Sequence, residues 1–219
     1  MIQTRRHPQL SDTEFRALMQ IHEEAYANGK TINQKGHQGV SECQIDGNDY
    51  MIKRYHTRSP FSSLRLRVGS SRIDTSFRYA VLLNDHDIAV AKHLLTVKHL
   101  SFTNSRAYLI MEKARGTALF EFIRADTNLT LNEIAIENIA RLITGVHKRG
   151  IAHGDLHTRN LIIAEDNSVR LIDFDNARKS TSGILKDLTR FRNAVAKNSS
   201  YEPTIIQAMK RLGHPYLNN

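Results

Sequence analysis

The chain has 219 residues, of which 40% are hydrophobic and 24% charged, a composition typical of globular proteins rather than disordered or fibrous ones. Lys and Arg outnumber Asp and Glu by 31 to 22, and the formal charge of +9 favours an anionic partner such as nucleic acid, a membrane surface or a phosphorylated substrate. The single cysteine, Cys43, excludes an intramolecular disulfide framework and a cysteine-cluster metal site.

Targeting signals are not evident in the sequence. The first ten residues, MIQTRRHPQL, contain no apolar run, so we expect no cleaved secretion signal. No stretch approaches the roughly 18 consecutive apolar residues that a membrane-spanning helix needs. We therefore expect a cytoplasmic protein whose contact with membranes is peripheral.

In the first half of the chain, the spacing of apolar residues separates helices from strands. Phe15, Leu18 and Met19 fall near helical spacing ahead of Gly29, whereas residues 30–55 alternate around glycine-containing turns. The predicted elements are a helix over 11–28, a strand pair within 30–55 with turns at 36–39 and 46–48, a loop with a short helix over 56–72, a helix over 73–84 and a strand over 107–111.

The second half begins with the clearest element of the sequence, a helix over 131–149. Thr130 can cap it and Glu133 stands three residues later, the pattern of a capping box. The later predicted elements are a hairpin of 161–164 and 169–172 and two amphipathic helices at about 183–197 and 203–212. Strands followed by helices indicate an α+β protein, divided near residues 112–116.

The densest group of chemically capable residues is the run HGDLHTRN at 153–160, followed by IDFD at 172–175. It places two carboxylates and an amide, Asp155, Asp173 and Asn160, on loops that flank the predicted hairpin. Phosphoryl transfer needs one carboxylate to orient the attacking hydroxyl, and a second carboxylate with an amide to hold Mg²⁺.

Two other interpretations of this run remain open. The carboxylates could cap turns while Asn160 begins a strand. Alternatively, His153, Asp155 and His157 could bind a metal, since alternate residues of an extended segment share one face. A metal site of this kind would leave Asn160 and Asp173 unexplained.

These motifs resemble those of the protein-kinase-like superfamily. The run HGDLHTRN is similar to its catalytic loop, and IDFD is similar to its metal-binding DFG motif, with Asp175 in place of the usual Gly. The resemblance implies one kinase-like domain over 1–219. It would have a small antiparallel-sheet lobe at about 30–111, a compact, mainly helical lobe at about 112–219, and a helical extension at 1–29.

The same resemblance assigns the site residues. It implies ATP and Mg²⁺ as cofactors, with Asp155 as the catalytic carboxylate and Asn160 and Asp173 as the Mg²⁺ ligands. The remaining candidates are nucleotide-binding residues: Lys53 in the strand YMIKRY, Gly36 and Gly39 in a turn over the phosphates, and Glu112 at the start of a hinge that meets adenine. A solvated lysine and a solvated glutamate are the alternatives for Lys53 and Glu112.

A narrower resemblance is to the kinases of the lipopolysaccharide inner core. It depends on three segments, IKRYHTRSPFSSLRLR, IDFDNAR and KDLTRFRNAVAKN, within about 30–198. It implies a sugar hydroxyl of Kdo or heptose as acceptor, at the cytoplasmic face of the inner membrane of a Gram-negative bacterium. The 44 residues after Asp175 contain no APE motif, which speaks against a protein substrate.

The charge of residues 51–80 agrees with an anionic glycolipid acceptor. This stretch has seven Lys and Arg residues and one acid, Asp74. Such a surface attracts carboxylates and phosphates, although a solvated loop without a ligand is the alternative. We expect no nucleic-acid partner, because no nucleic-acid-binding motif is present, and no stable protein partner is predictable.

One expected residue is missing. Kinases pair the strand lysine with a helix Glu, but residues 64–84 contain no Glu. We predict that Asp74 pairs with Lys53, with Ser76 as the alternative. The missing Glu also favours a pseudokinase, and two further alternatives are an antibiotic- or choline-type phosphotransferase and a compact atypical protein kinase.

Overall fold

The computed structural model describes residues 1–35, 38–124, 128–196 and 201–217. The strands are β1 (Ile2–Arg6), β2 (Lys30–Lys35), β3 (Gln38–Ile45), β4 (Asn48–His56), β5 (His93–His99), β6 (Arg106–Glu112), β7 (Thr117–Ala118), β8 (Ile151–Ala152), β9 (Leu161–Ile163), β10 (Val169–Leu171) and β11 (Arg178–Lys179). The helices are α1 (Asp12–Asn28), α2 (Pro60–Arg67), α3 (Arg72–Asn84), α4 (Leu119–Ile123), α5 (Glu133–Lys148), α6 (Thr181–Ala196) and α7 (Tyr201–Arg211), with a 3₁₀ turn at Thr158–Asn160.

The chain divides into two compact units. The first unit contains residues 1–81 and 91–113, and the second contains residues 82–90 and 114–219. The first is built mainly on a sheet and the second mainly on helices, which confirms the predicted α+β class. Among the described residues, no helix has both the length and the apolar character needed to cross a bilayer.

The first unit is an antiparallel sheet of six strands in the order β1-β5-β6-β4-β3-β2. Side chains alternate across β4, so that Ile52 packs with α1 on one face while Tyr55 packs with α2 and α3 on the other. The expected extension at 1–29 does contain the predicted helix, α1. However, β1 precedes it and pairs with β5, so this segment is part of the sheet.

The second unit is organised around α5, which packs against α7 and β10. Its buried stripe includes Ile139, Ile143 and Val146, as predicted. The predicted cap was wrong: the helix begins at Glu133, and the side chain of Asn132 accepts a hydrogen bond from the Ala135 N–H at 2.8 Å. Asn132 satisfies a free amide as Thr130 was expected to do, but it stands two residues later in the chain.

The hairpin predicted after the HGDLHTRN run is confirmed as β9 and β10, which are antiparallel with Ile163 opposite Val169. β7 adds a third strand to this small sheet. The two C-terminal helices are also confirmed, α6 beginning two residues before its predicted start and α7 likewise. α6 is the element that positions the site, because it packs against β8 and the 3₁₀ turn.

Candidate active site

His153 joins the two motifs of the second unit. Its side chain is fully buried, its Nε2 lies 2.9 Å from the carbonyl oxygen of Ile172, and its ring meets the edge of Phe174 with centroids 4.8 Å apart. Burial lowers the pKa of His153, which keeps the ring neutral, so Nε2 donates to the Ile172 carbonyl. His153 therefore fixes the residues before Asp173 against the residues before Asp155, and it is not placed as a metal ligand.

Gly154 is required by the path of the loop. Its φ is +82°, and a Cβ atom at this position would lie 2.3 Å from the carbonyl oxygen of Asn176. Its N–H donates to both carboxylate oxygens of Asp187, at 3.1 and 3.2 Å. Asp187 is buried on α6, so the loop is anchored to a helix rather than left to solvent.

Asp155 follows this anchored glycine and keeps its side chain 42% exposed. Arg190 donates from Nη1 to Oδ1 of Asp155 at 3.2 Å and to the Gly154 carbonyl at 2.8 Å. His157 places its Nε2 3.6 Å from the other carboxylate oxygen. Asp155 is therefore an accessible carboxylate with a defined orientation, next to a fixed positive charge.

Asn160 is buried and is hydrogen-bonded to the backbone of Asp155. Its Nδ2 donates to the Asp155 carbonyl at 3.0 Å, and its own carbonyl accepts from the Ile172 N–H at 3.0 Å. The second bond brings the 3₁₀ turn next to the residue that precedes Asp173. Asp173 has a φ of +69°, a left-handed conformation that Asp tolerates better than most residues do.

These contacts permit a test of the magnesium assignment. Because Nδ2 of Asn160 is committed to the Asp155 carbonyl, the amide oxygen is the end of that side chain left for a cation. This oxygen and the carboxylate of Asp173 would offer only oxygen donors, the type that Mg²⁺ prefers. The residues fit the ion, and Asn160 and Asp173 are the ones that would hold it.

The sequence analysis missed two buried histidines, His147 and His214, of which His147 lies next to Asp187. His147 lies with its Nε2 3.8 Å from Asp187 Oδ2, and its Nδ1 is 2.8 Å from Nε2 of His214. Burial acts to raise the pKa of Asp187, but the neighbouring His147 ring and the hydrogen bonds from the Gly154 N–H outweigh it, and the pKa is lowered. Burial also lowers the pKa of His214 to about 4. For Asp187, the signal in the sequence was the DLTR segment, in which Asp187 and Arg190 share one face of a helix.

In the first unit, Lys53 lies in β4 between Val40 of β3 and Leu109 of β6. It is half-buried and shares a sheet face with Tyr55, the face on which α2 and α3 pack. This placement in a central strand is the one expected of the phosphate-binding lysine. The assignment itself remains a prediction.

The predicted partner of Lys53 was wrong. Asp74 is buried at the start of α3, where its Oδ1 accepts from Nζ of Lys98 at 2.5 Å and its Oδ2 accepts from the Ser71 hydroxyl at 2.5 Å. Ser76, the alternative, instead contacts Nε2 of His93 at 3.1 Å. Asp74 therefore caps its own helix and neutralises a buried lysine, which sequence spacing could not distinguish from a contact with Lys53.

The glycine turn was also placed differently. Gly36 lies outside the described residues. Gly39 lies within β3 rather than in a turn, opposite Arg54, and a Cβ atom there would lie 2.0 Å from the hydroxyl of Tyr26. The missing side chain of Gly39 makes room for Tyr26, whose ring also stacks under the Arg54 guanidinium at 4.6 Å. A packing role is therefore sufficient to explain Gly39, and its nucleotide role stays a prediction.

Glu112 is the last residue of β6, as expected for the start of a hinge. Its N–H donates to the Lys92 carbonyl at 3.0 Å, and its carboxylate lies 3.7 Å from Nζ of the same lysine. The next amide, of Lys113, donates to the Asp49 carbonyl at 3.0 Å. Both amides are thus used inside the first unit, and the contact of this segment with adenine remains a prediction.

A family model of the protein kinase domain matches residues 80–210, more than half of the chain. The chain therefore belongs to the protein kinase domain family. This confirms the predicted fold and the predicted class of enzyme, a kinase, which implies the use of ATP and typically Mg²⁺.

Individual relatives match a shorter segment. Maternal embryonic leucine zipper kinase of Danio rerio is 34% identical over 95 residues, covering 42% of this chain and 14% of the relative. Serine/threonine-protein kinase grp of Drosophila melanogaster is 35% identical over 89 residues, covering 39% and 17%. A probable serine/threonine-protein kinase of Clostridium acetobutylicum is 28% identical over 80 residues, covering 36% and 12%. The chain thus spans less than a fifth of the length of these curated relatives.

Proposed function

We propose that the protein transfers the γ-phosphoryl group of ATP to an alcohol, with Asp155 as the residue that receives the acceptor hydroxyl. The observation that carries this proposal is the geometry of Asp155: an exposed carboxylate on a loop that Asp187 and Arg190 hold in place. The pseudokinase alternative is less well supported, because Asp155, Asn160 and Asp173 are all present and connected by hydrogen bonds through the loop.

We assign a part in this reaction to four residues of the second unit. The carboxylate of Asp155 accepts a hydrogen bond from the hydroxyl and orients its oxygen for attack. Arg190 orients that carboxylate by donating to Oδ1 of Asp155 and to the Gly154 carbonyl. Asn160 and Asp173 would hold Mg²⁺, which neutralises charge on the phosphates. From the first unit, Lys53 is the proposed contact for the phosphates.

For the acceptor, we propose a small or lipid-linked sugar rather than a peptide. Protein kinases carry an activation segment between the DFG and APE motifs. Here only five residues, 176–180, separate Asp175 from the first residue of α6, and Asp187 of that helix already binds the catalytic loop. This short connection supports an acceptor that needs no peptide-binding platform, such as the Kdo or heptose of a lipopolysaccharide inner core.

A second acceptor has its own supporting observation. The relatives named above are serine/threonine-protein kinases or are named as kinases, and nothing in those matches concerns sugars. Taken alone, the comparisons favour the hydroxyl of a serine or threonine in a protein over a sugar hydroxyl. The experiment below is therefore designed to separate the two acceptors.

The surface of α2 supports an acceptor that is anionic and held at a membrane. Arg65 and Arg67 of α2 are exposed, and Asp74, the one acid of residues 51–80, is buried against Lys98, so no carboxylate of residues 51–80 reduces the positive surface charge. Phe61 and Leu64 of α2 are 71% and 54% exposed. Exposed apolar side chains among arginines suit peripheral contact with an anionic membrane, which we propose is the cytoplasmic face of the inner membrane of a Gram-negative bacterium.

The test is transfer of labelled γ-phosphate from ATP to two acceptors, lipopolysaccharide inner-core glycolipid and a generic serine/threonine protein substrate. We expect label in the glycolipid and none in the protein. The double variant Arg65→Glu/Arg67→Glu should raise the KM for glycolipid and leave the KM for ATP unchanged, with a smaller effect above about 0.15 M salt. Label in the protein alone would establish the second acceptor, and label in neither would contradict both.

A further inference from the structure

Three metal-binding side chains converge in the first unit, where α1 packs on β5. His22 and Glu23 are adjacent on α1, and His99 is the last residue of β5. Nε2 of His22 lies 3.1 Å from Nε2 of His99, and the latter lies 3.7 Å from Oε1 of Glu23. The three potential ligand atoms lie within 4.8 Å of one another.

These separations are close to those around a tetrahedral metal ion. Zinc bonds of about 2.0–2.1 Å to imidazole nitrogen and carboxylate oxygen give ligand-to-ligand distances of about 3.3–3.4 Å. The observed distances of 3.1 and 3.7 Å lie on either side of this value. The third separation, between His22 and Glu23, is within 4.8 Å, so side-chain rotations could bring all three ligands to a common ion.

The hydrogen bonds of His22 prepare its ring for metal binding. Its Nδ1 lies 2.8 Å from the Met19 carbonyl oxygen, which can only accept, so Nδ1 carries the hydrogen. The lone pair is thus on Nε2, the atom that faces His99 and Glu23. A backbone carbonyl that fixes the tautomer in this way is the usual outer partner of a metal-bound histidine.

Tyr108 and Arg106 of β6 surround the same cluster. Tyr108 donates its hydroxyl hydrogen to Oε1 of Glu23 at 3.3 Å, and its ring meets the edges of His22 and His99 with centroids 5.0 and 6.0 Å apart. Nη1 of Arg106 is 3.7 Å from the same oxygen, and its charge opposes a cation. The negative charge of Glu23 offsets it, which makes this carboxylate essential to any ion bound here.

We propose that His22, Glu23 and His99 bind one divalent ion of the zinc class, with water as the fourth ligand. Two imidazoles and one carboxylate form a donor set that suits zinc rather than magnesium or calcium. The ion would connect the first helix of the chain to the sheet. The site shares no residue with the proposed magnesium site, and the proposal does not depend on the proposed reaction.

The test is a titration of the full chain, stripped with EDTA, with Zn²⁺ in competition with a chromophoric chelator. We expect one equivalent to bind, and the melting temperature to rise when it does. Glu23→Gln and His99→Gln should each weaken binding by about tenfold or more. Glu24→Gln is the matched control, because Glu24 is the exposed neighbour on α1 and lies outside the cluster.

Two results would overturn the proposal. One is a wild-type protein that binds no equivalent of Zn²⁺ more tightly than about 0.1 mM, a weak association. The other is unchanged affinity in both ligand variants, which would place the ion elsewhere. If His99→Gln does not fold, Glu23→Gln decides, because that side chain is 45% exposed and circular dichroism can confirm that the variant is folded.

Discussion

Asp155 and Asp74 each form an ion pair with a basic residue, yet their different surroundings suit them to different roles. Asp155 is 42% exposed and faces Arg190 at 3.2 Å on the surface of the second unit. Asp74 is 1% exposed and is bound by Lys98 inside the first unit. A carboxylate that contacts a substrate must be accessible. In a buried ion pair, by contrast, loss of one member leaves the other as an uncompensated buried charge. Exposure, rather than the presence of a basic partner, therefore distinguishes the proposed catalytic carboxylate from the structural one.

The largest effect should come from the exposed acid. Asp155→Ala should lower kcat by about 10²–10⁴-fold, because no other group would orient the acceptor hydroxyl, and should leave ATP binding nearly unchanged. Steady-state kinetics with the acceptor that accepts label, together with ATP titration, would measure both. Normal turnover in this variant would remove Asp155 from the catalytic role.

Removal of the buried acid should instead lower the free energy of unfolding. Asp74→Ala should destabilise the first unit by about 3–5 kcal/mol, because Lys98 would be left as an uncompensated buried charge. The double variant Asp74→Ala/Lys98→Met should recover much of this loss. Urea unfolding is the measurement, with Asp12→Ala as a control, since the Asp12–Arg6 ion pair is exposed and should be worth less than about 1 kcal/mol. A loss in Asp74→Ala no greater than that in the control would refute the structural role.

A smaller effect is expected from the arginine that holds Asp155. Arg190→Ala removes hydrogen bonds to the Gly154 carbonyl and to a half-exposed carboxylate, so we expect a loss in kcat of about tenfold. Arg192 is the matched control, because it lies on the same helix but pairs with Glu202. Equal kcat in the two alanine variants would show that Arg190 does not position the catalytic residue.

The smallest effect concerns pH. Burial lowers the pKa of His214 from its ordinary value of 6.5 to about 4, so the folded protein keeps this ring neutral where the unfolded chain protonates it. The stability of the second unit should therefore be full above pH 6.5 and fall as the pH drops towards 4. His214→Gln should flatten this slope in unfolding measurements, whereas exposed His86→Gln should not. Identical slopes in these two variants would contradict this account.

The sequence predicted what depends on local pattern. The HGDLHTRN and IDFD runs, the hairpin between them and the amphipathic helices repeat spacings that backbone geometry imposes, so Asp155, Asn160 and Asp173 could be named beforehand. The β1 strand was missed, because a five-residue polar edge strand has no burial pattern of its own.

What could not be predicted depends on long-range pairing. Asp74 meets Lys98 across 24 residues, and nothing in the sequence distinguishes that lysine from Lys53. His147 and His214 meet across 67 residues, and the contact becomes visible only when α5 and the chain after α7 pack together. The packing role of Gly39 depends in the same way on a tertiary contact, with Tyr26 of α1.

We propose that the loop of the second unit is a magnesium–nucleotide site. Calorimetric titration with ATP, with and without Mg²⁺, tests it most directly. We expect wild-type protein to bind ATP more tightly with Mg²⁺, Asp173→Asn to lose about tenfold or more of that affinity, and Asp166→Asn, in the exposed hairpin turn, to match wild type. If Asp173→Asn binds ATP with the same dependence on Mg²⁺ as wild type, the assignment of the site is wrong.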